Sequence, residues 1–163
     1  MSQIGVIMGS DSDYGVMGEA LEVLRQFEVS FEVIISSPQR TLKRTVDWVK
    51  SFEAQGGNLI IAAAGLAAHL PGVVAGATIL PVIGVPLSSG ALEGIDALYS
   101  IVQMPPGIPV GTVGIGAARN AALLAVQILA SQDKALCIKV KDYRTQMLKD
   151  IEAKDEALQK RLS

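Results

Sequence analysis

Short apolar runs alternate with stretches of helical periodicity along most of this chain. "IGVIMG" (residues 4–9) precedes residues 14–27, where Val16, Met17, Ala20, Leu21, Leu24 and Phe27 recur at helical spacing. "FEVIIS" (31–36) precedes residues 41–55, with Trp48, Val49 and Phe52 on one helical face, and "NLIIAAA" (58–64) precedes residues 70–77. "PVIGVP" and "PVGTVGIG" supply two more strands, followed by helical segments at 91–101 and 118–131. Strands that alternate with helices imply a mostly parallel sheet covered on both faces, and nearly unbroken apolar strands suit such burial. The pattern predicts a three-layer α/β/α sandwich of flavodoxin-like type.

The tail from Asp133 to Leu162 differs. Charges are dense, and Leu136, Val140, Tyr143, Met147 and Ile151 form one narrow stripe at helical spacing. A lone apolar stripe needs a surface to lie on. The expected organisation is a flavodoxin-like domain over 1–132 and a long C-terminal helix over 133–163, packed on that domain or on a neighbouring subunit.

Composition narrows the function. A chain of 163 residues, half of them hydrophobic, suffices for one well-packed core and is short for two. A formal net charge of -2 leaves no basic surplus for a nucleic-acid backbone. Cys137 is the single cysteine, so no intrachain disulfide forms, and a reducing compartment is the simplest reading. The start, "MSQIGVIMGSDSD", lacks a basic region and breaks at a Gly-Ser-Asp turn, which reads as a first strand and not as a signal peptide. These features point to the cytoplasm. Between Glu53 and Arg119 the only charged side chains are Glu93 and Asp96, yet glycines, prolines and His69 cut this stretch below the roughly 20 apolar residues that span a bilayer. No membrane association is expected; contact between subunits is the better use of so much uncharged surface.

In an open parallel sheet, ligands bind where loops leave the carboxyl ends of the strands. The polar residues of this chain gather there. "GSDSD" places Ser10, Ser12 and Asp13 after the first strand; Ser36, Ser37, Gln39 and Arg40 follow the second; "AGLAAHLPG" places His69 after the third; Ser88 and Ser89 follow the fourth. Individually these residues have plainer uses. Ser12 or Asp13 is suited to capping the first helix, Ser36, Ser37, Pro38 and Thr41 to a turn, and His69 to a helix start before Leu70 and Pro71. Together, helix N-termini and one arginine make a site for a phosphate monoester. There is no phosphate-binding G-x-x-x-x-G-K-[ST], "GTVGIGAARN" lacks the third glycine of the dinucleotide fingerprint, and G-x-S-x-G is missing. One His and one Cys give no metal-ligand cluster of usual spacing. The residues describe a protein that binds a small phosphorylated metabolite.

The segments "GVIMGSDSDYGVM", "AAHLPGVVAG", "PVIGVP", "LYSIVQMPPGIPVGTVGIG" and "NAALLAVQIL" closely resemble the class I carboxyaminoimidazole ribonucleotide mutases of purine biosynthesis, the PurE family. The resemblance runs from Ile4 to about Tyr143. It implies an octamer, no metal, no ATP and no organic cofactor. It also implies an aminoimidazole ribonucleotide substrate whose carboxylate moves, as carbon dioxide, from the exocyclic amine to a ring carbon. By position, Ser10, Asp13, Ser37 and Arg40 match residues that hold phosphate and ribose, and Ser12, Ala64, Gly65, Leu66 and Leu70 are expected to bind substrate beside them. His69 matches a histidine of that loop.

Two positions depart from the family pattern. The family's Ser-Ala-His-Arg-Thr is Ser37-Pro38-Gln39-Arg40-Thr41 here, so glutamine replaces the catalytic histidine, and Leu66 replaces a glycine of the loop. A primary amide neither takes nor gives a proton at useful rates. Three readings follow: a mutase using His69 or Asp13 as its proton carrier; a paralogue with altered carboxyl chemistry, such as decarboxylation of the same or a related ribonucleotide; or a nucleotide-binding homologue without catalysis.

Overall fold

In a computed structural model, residues 3–162 are described, and they build five strands and six α-helices. The order is β1 (Ile4–Met8), α1 (Tyr14–Gln26), β2 (Phe31–Ile35), α2 (Pro38–Ala54), β3 (Leu59–Gly65), α3 (Leu70–Ala77), β4 (Val82–Leu87), α4 (Ile95–Val102), β5 (Gly111–Thr112), α5 (Ala118–Ala130) and α6 (Lys134–Leu162). All strand pairings are parallel, in the order β2-β1-β3-β4-β5. This is the flavodoxin-like order expected from the alternating pattern, and its switch point lies between β1 and β3. The chain forms two compact units, Met1–Ala125 and Val126–Ser163, divided within α5.

In the first unit, β1, β4 and nearly all of β3 are buried along their length. Alternate strand residues face opposite sides, and one side carries Ile7, Ile60, Ala62, Ala64 and Val82. These pack in a single core with Val49 and Phe52 of α2, Leu70 and Val74 of α3, and Ala97 and Ile101 of α4. Gly5 and Gly84 face the same way in register. A Cβ on Gly5 would lie 2.8 Å from the Trp48 ring, and one on Gly84 would lie 2.3 Å from Ile101 Cγ2. Missing side chains thus let α2 and α4 approach the sheet. The opposite strand residues, Ile4, Val6, Met8, Leu59, Ile61 and Ile83, are equally buried. On α1 the buried set is Met17, Ala20, Leu21, Val23 and Leu24, close to the stripe read from the sequence.

In the second unit, α6 starts at a true cap: Asp133 Oδ1 accepts hydrogen bonds from Ala135 N at 2.9 Å and Leu136 N at 3.0 Å. Its stripe is uneven, with Leu136 buried but Met147 and Ile151 more than half exposed. No helix among the described residues is long and apolar enough to cross a membrane.

Three boundaries differ from those read from the sequence. Helix α2 begins at Pro38, not Thr41, because proline suits a first helical turn, and its backbone breaks at Thr41 (φ -141°, ψ 47°) before resuming. The segment expected as one helix over 91–101 is a single 3-10 turn, Gly90–Leu92, followed by α4, because Glu93 and Gly94 both take left-handed backbone. The last strand pairs only at Gly111–Thr112, shorter than "PVGTVGIG" suggested.

Gly84→Ala forces Ile101 and Val110 aside and lowers unfolding stability by about 1–3 kcal/mol, measured by chemical denaturation.

Candidate functional site

The four strand ends open into one cavity of about 580 Å³. From the end of β1 come Ser10, Ser12 and Asp13; from the end of β2, Ser37, Gln39 and Arg40; from the β3 loop, Ala64, Gly65, Leu66, His69 and Leu70. Ser88 and Ser89 close the β4 side. Of the strand-end candidates read from the sequence, all but Ser36 line this cavity, together with Gly9, Val16 and Ala68, which polarity alone did not single out; Ser36 is turned into the interior and borders only the adjoining groove. A shallower groove of about 460 Å³ adjoins it, sharing Gly9, Ser10, Ser37 and Arg40 and adding Arg44.

The β1 loop is shaped by reciprocal hydrogen bonds. Ser10 N donates to Asp13 Oδ2 at 3.0 Å, and Ser10 Oγ accepts from Ser12 N at 3.3 Å, a capping box around the turn Asp11–Asp13. Asp13 makes no side-chain cap to α1. Its carboxylate turns back toward the loop, so the simple N-cap reading does not describe it. Burial raises the Asp13 pKa above its ordinary value near 3.8; hydrogen bonds from the Ser10 and Gly9 backbone oppose this, and the charge of Asp11 adds to it.

The β2 turn rests on a cluster of hydroxyls, buried at Ser36 and Thr45 and reaching the surface at Thr41. Ser36 Oγ lies 3.0 Å from Thr41 Oγ1 and 2.8 Å from Thr45 Oγ1, and Thr45 is wholly buried. Thr41 Oγ1 also accepts from Ser37 N at 3.1 Å and donates to Ser37 O at 2.9 Å. The break at Thr41 coincides with these added bonds: Thr41 N keeps the helical bond to Ser37 O at 2.7 Å, and its hydroxyl bonds the same residue again. They also hold the first turn of α2, with Gln39 and Arg40, over the cavity. Three hydroxyl residues at 36, 41 and 45 were the sequence signal for this cluster; only their mutual contact makes it legible. Ser37 does not cap α2 through its side chain, which leaves the positive end of the helix facing the cavity, where an anion is favoured.

Gln39 and His69, thirty residues apart, meet at 2.7 Å between Gln39 Nε2 and His69 Nδ1. Ser37 Oγ donates to the other end of the same amide, Gln39 Oε1, at 3.2 Å. His69 stands at the N-cap position of α3 without a capping hydrogen bond. Its ring serves the cavity instead. Leu66 and Ala68, both in the loop just before His69, take left-handed backbone, φ 54° and 45°, a conformation that glycine adopts more easily. Leu66 is 53% exposed, so its side chain lines the mouth of the cavity. Among the described residues, no group of three or more His, Cys, Asp or Glu is placed to hold a metal ion.

The family model for AIR carboxylase matches residues 3–150. The chain belongs to this family. An N5-carboxyaminoimidazole ribonucleotide mutase of Pyrococcus abyssi is 54% identical over 147 residues, covering 90% of this chain and 84% of that protein. The mutase of the same name from Thermotoga maritima is 47% identical over 159 residues, 98% of this chain and 93% of its own length. Among solved structures, Treponema denticola PurE superposes with a TM-score of 0.88 at 32% identity, covering 95% of this chain and 97% of that one. The AIR carboxylase match includes all four strand ends that form the cavity.

Asp13 supplies a pH test. A carboxyl whose folded-state pKa is raised binds its proton more tightly when folded, so the stability it contributes is full below the unfolded value and is lost as pH rises through the folded value. Asp13→Asn keeps an acceptor for Ser10 N and carries no charge. It should melt higher than the wild type at pH 7, with the difference shrinking at pH 3, as read by thermal denaturation across pH.

Proposed function

We propose that this protein is an N5-carboxyaminoimidazole ribonucleotide mutase of purine biosynthesis, moving a carboxylate from the exocyclic amine to the ring carbon of an aminoimidazole ribonucleotide. The observation that carries this reading is the convergence of four strand ends on one cavity in a chain 54% identical to a protein of that name. The two alternatives raised by Gln39, decarboxylation alone and binding without catalysis, are not favoured by relatives that are called mutases.

In this reading the ribosyl phosphate lies at the start of α2. Ser10, Ser37 and Arg40 border both the cavity and its side groove, and they supply hydroxyl, helix-end and guanidinium donors to an anion. Ser12 and Asp13 face the ribose. The aminoimidazole lies deeper, against the loop Ala64, Gly65, Leu66 and Leu70, with His69 at its edge. The carbamate releases carbon dioxide inside this cavity, the ring carbon captures it by forming a new carbon–carbon bond, and the ring proton is then removed. Containment matters because free carbon dioxide otherwise escapes before recapture.

The cytoplasm is the proposed compartment, and a homo-octamer the proposed assembly. Ile95, Tyr99 and Val102 of α4 are each at least half exposed, an apolar face that association would bury. The α6 helix is proposed to pack on its own domain or on a neighbour.

Incubation with the carbamate nucleotide and with its ring-carboxylated isomer, followed by chromatography, tests the reaction. Interconversion is expected; failure to interconvert either nucleotide overturns the reading. Arg40→Leu should raise KM roughly 10–100-fold, the loss of one charge-assisted hydrogen bond, with a smaller change in kcat.

A further inference from the structure

We propose that Gln39 is a positioning residue whose amide fixes His69, so that His69 Nε2 is the atom that carries the proton between the exocyclic amine and the ring carbon. This deepens the mutase reading and rests on it. The sequence holds a single histidine, so no other imidazole exists to take the part. Of the residues lining the cavity, only Asp13, Arg40 and His69 are ionisable. Arginine stays protonated throughout the working range. Asp13 accepts the Ser10 backbone N–H and lies at the proposed ribose end, away from the heterocycle.

The amide geometry explains how a group that cannot itself carry a proton serves proton transfer. As placed, Gln39 Nε2–H meets His69 Nδ1, which must then be an acceptor, so the neutral ring keeps its proton on Nε2. The other end of the amide is held by the Ser37 hydroxyl. A hydroxyl both donates and accepts, so a half-turn of the amide preserves both hydrogen bonds with their directions reversed. Gln39 Oε1 then accepts from Nδ1–H, which is the arrangement an imidazolium needs. The amide therefore keeps a partner for Nδ1 whichever way the proton lies and holds the ring in place in either charge state, leaving Nε2 as the atom for the substrate.

The proton balance closes. The bond between the exocyclic nitrogen and the carboxylate carbon breaks, its electron pair stays on nitrogen, and nitrogen takes the proton from imidazolium Nε2. The ring carbon joins carbon dioxide through a new carbon–carbon bond. Its C–H bond then breaks, the electron pair returns to the ring, and Nε2 recovers a proton. His69 ends as it began, and no external acid or base is consumed.

Two measurements test this. In protein carrying ¹⁵N-histidine, the Nδ1 resonance of the single imidazole should move in Gln39→Met, which removes its partner, while Nε2 moves far less; an Nδ1 resonance unchanged by Gln39→Met overturns the amide contact. In turnover assays and ring-proton exchange in deuterated water, His69→Gln should lower kcat roughly 10²–10⁴-fold with KM changed far less. Gln39→Met should fall between the two. Gln39→Glu, which keeps an acceptor for Nδ1–H, should restore transfer with the alkaline limb of the pH profile moved upward, because a carboxylate favours the imidazolium. Wild-type kcat and exchange in His69→Gln overturn the assignment while leaving the mutase reading intact. Absence of turnover in the wild type overturns the mutase reading, and the ¹⁵N spectra still decide the amide contact.

Discussion

Because β1 lies between β2 and β3 in a parallel sheet, the chain leaves the same edge of that sheet three times, first to one side and then to the other. The loops diverge at this switch point, and the gap between them is the cavity. Everything else at the site depends on that divergence. It holds only while β1 and β3 stay buried on both faces, which requires apolar side chains throughout and glycine at positions 5 and 84, where α2 and α4 press closest. The chemistry at the strand ends is thus anchored in packing well below it.

On this frame, two loops are held by very different means. The start of α2 is fixed by buried Ser36 and Thr45 and by Thr41 at their solvent edge, whose hydroxyls satisfy one another. Each such bond contributes about 1 kcal/mol net, and an unpaired buried hydroxyl costs about 1–3 kcal/mol. The cluster is therefore an all-or-none lock on the turn that carries Gln39 and Arg40. The β3 loop is instead held under strain. Leu66 and Ala68 occupy left-handed backbone without being glycine, at a cost of order 1–3 kcal/mol each. Such strain persists where surrounding structure over-determines the backbone, as it does beneath His69.

The fold was largely legible before the structure. Strand and helix alternation, the long apolar strands and the charged tail each have one simple physical origin, the periodicity of burial, and that periodicity is written along the chain. Boundaries were less legible wherever side chains or backbone handedness overrode it. Pro38 drew α2 forward, Glu93 and Gly94 divided a single helical pattern, and the last strand shortened to Gly111–Thr112. The site residues were visible as polar positions at strand ends, because a strand that must stay apolar turns polar only where it leaves the core.

By itself, the sequence determined the α/β layering, the polarity of the strand ends, the family, and the substitution of glutamine at position 39. Those are local or additive properties: burial period, residue type, motif. Tertiary structure alone decided that Asp13 faces back into its loop, that three hydroxyls along residues 36–45 share one cluster, and that Gln39 touches His69 thirty positions further along the chain. A hydrogen bond needs two atoms within about 3 Å. No spacing rule along the chain supplies that distance between separate loops; the strand order does.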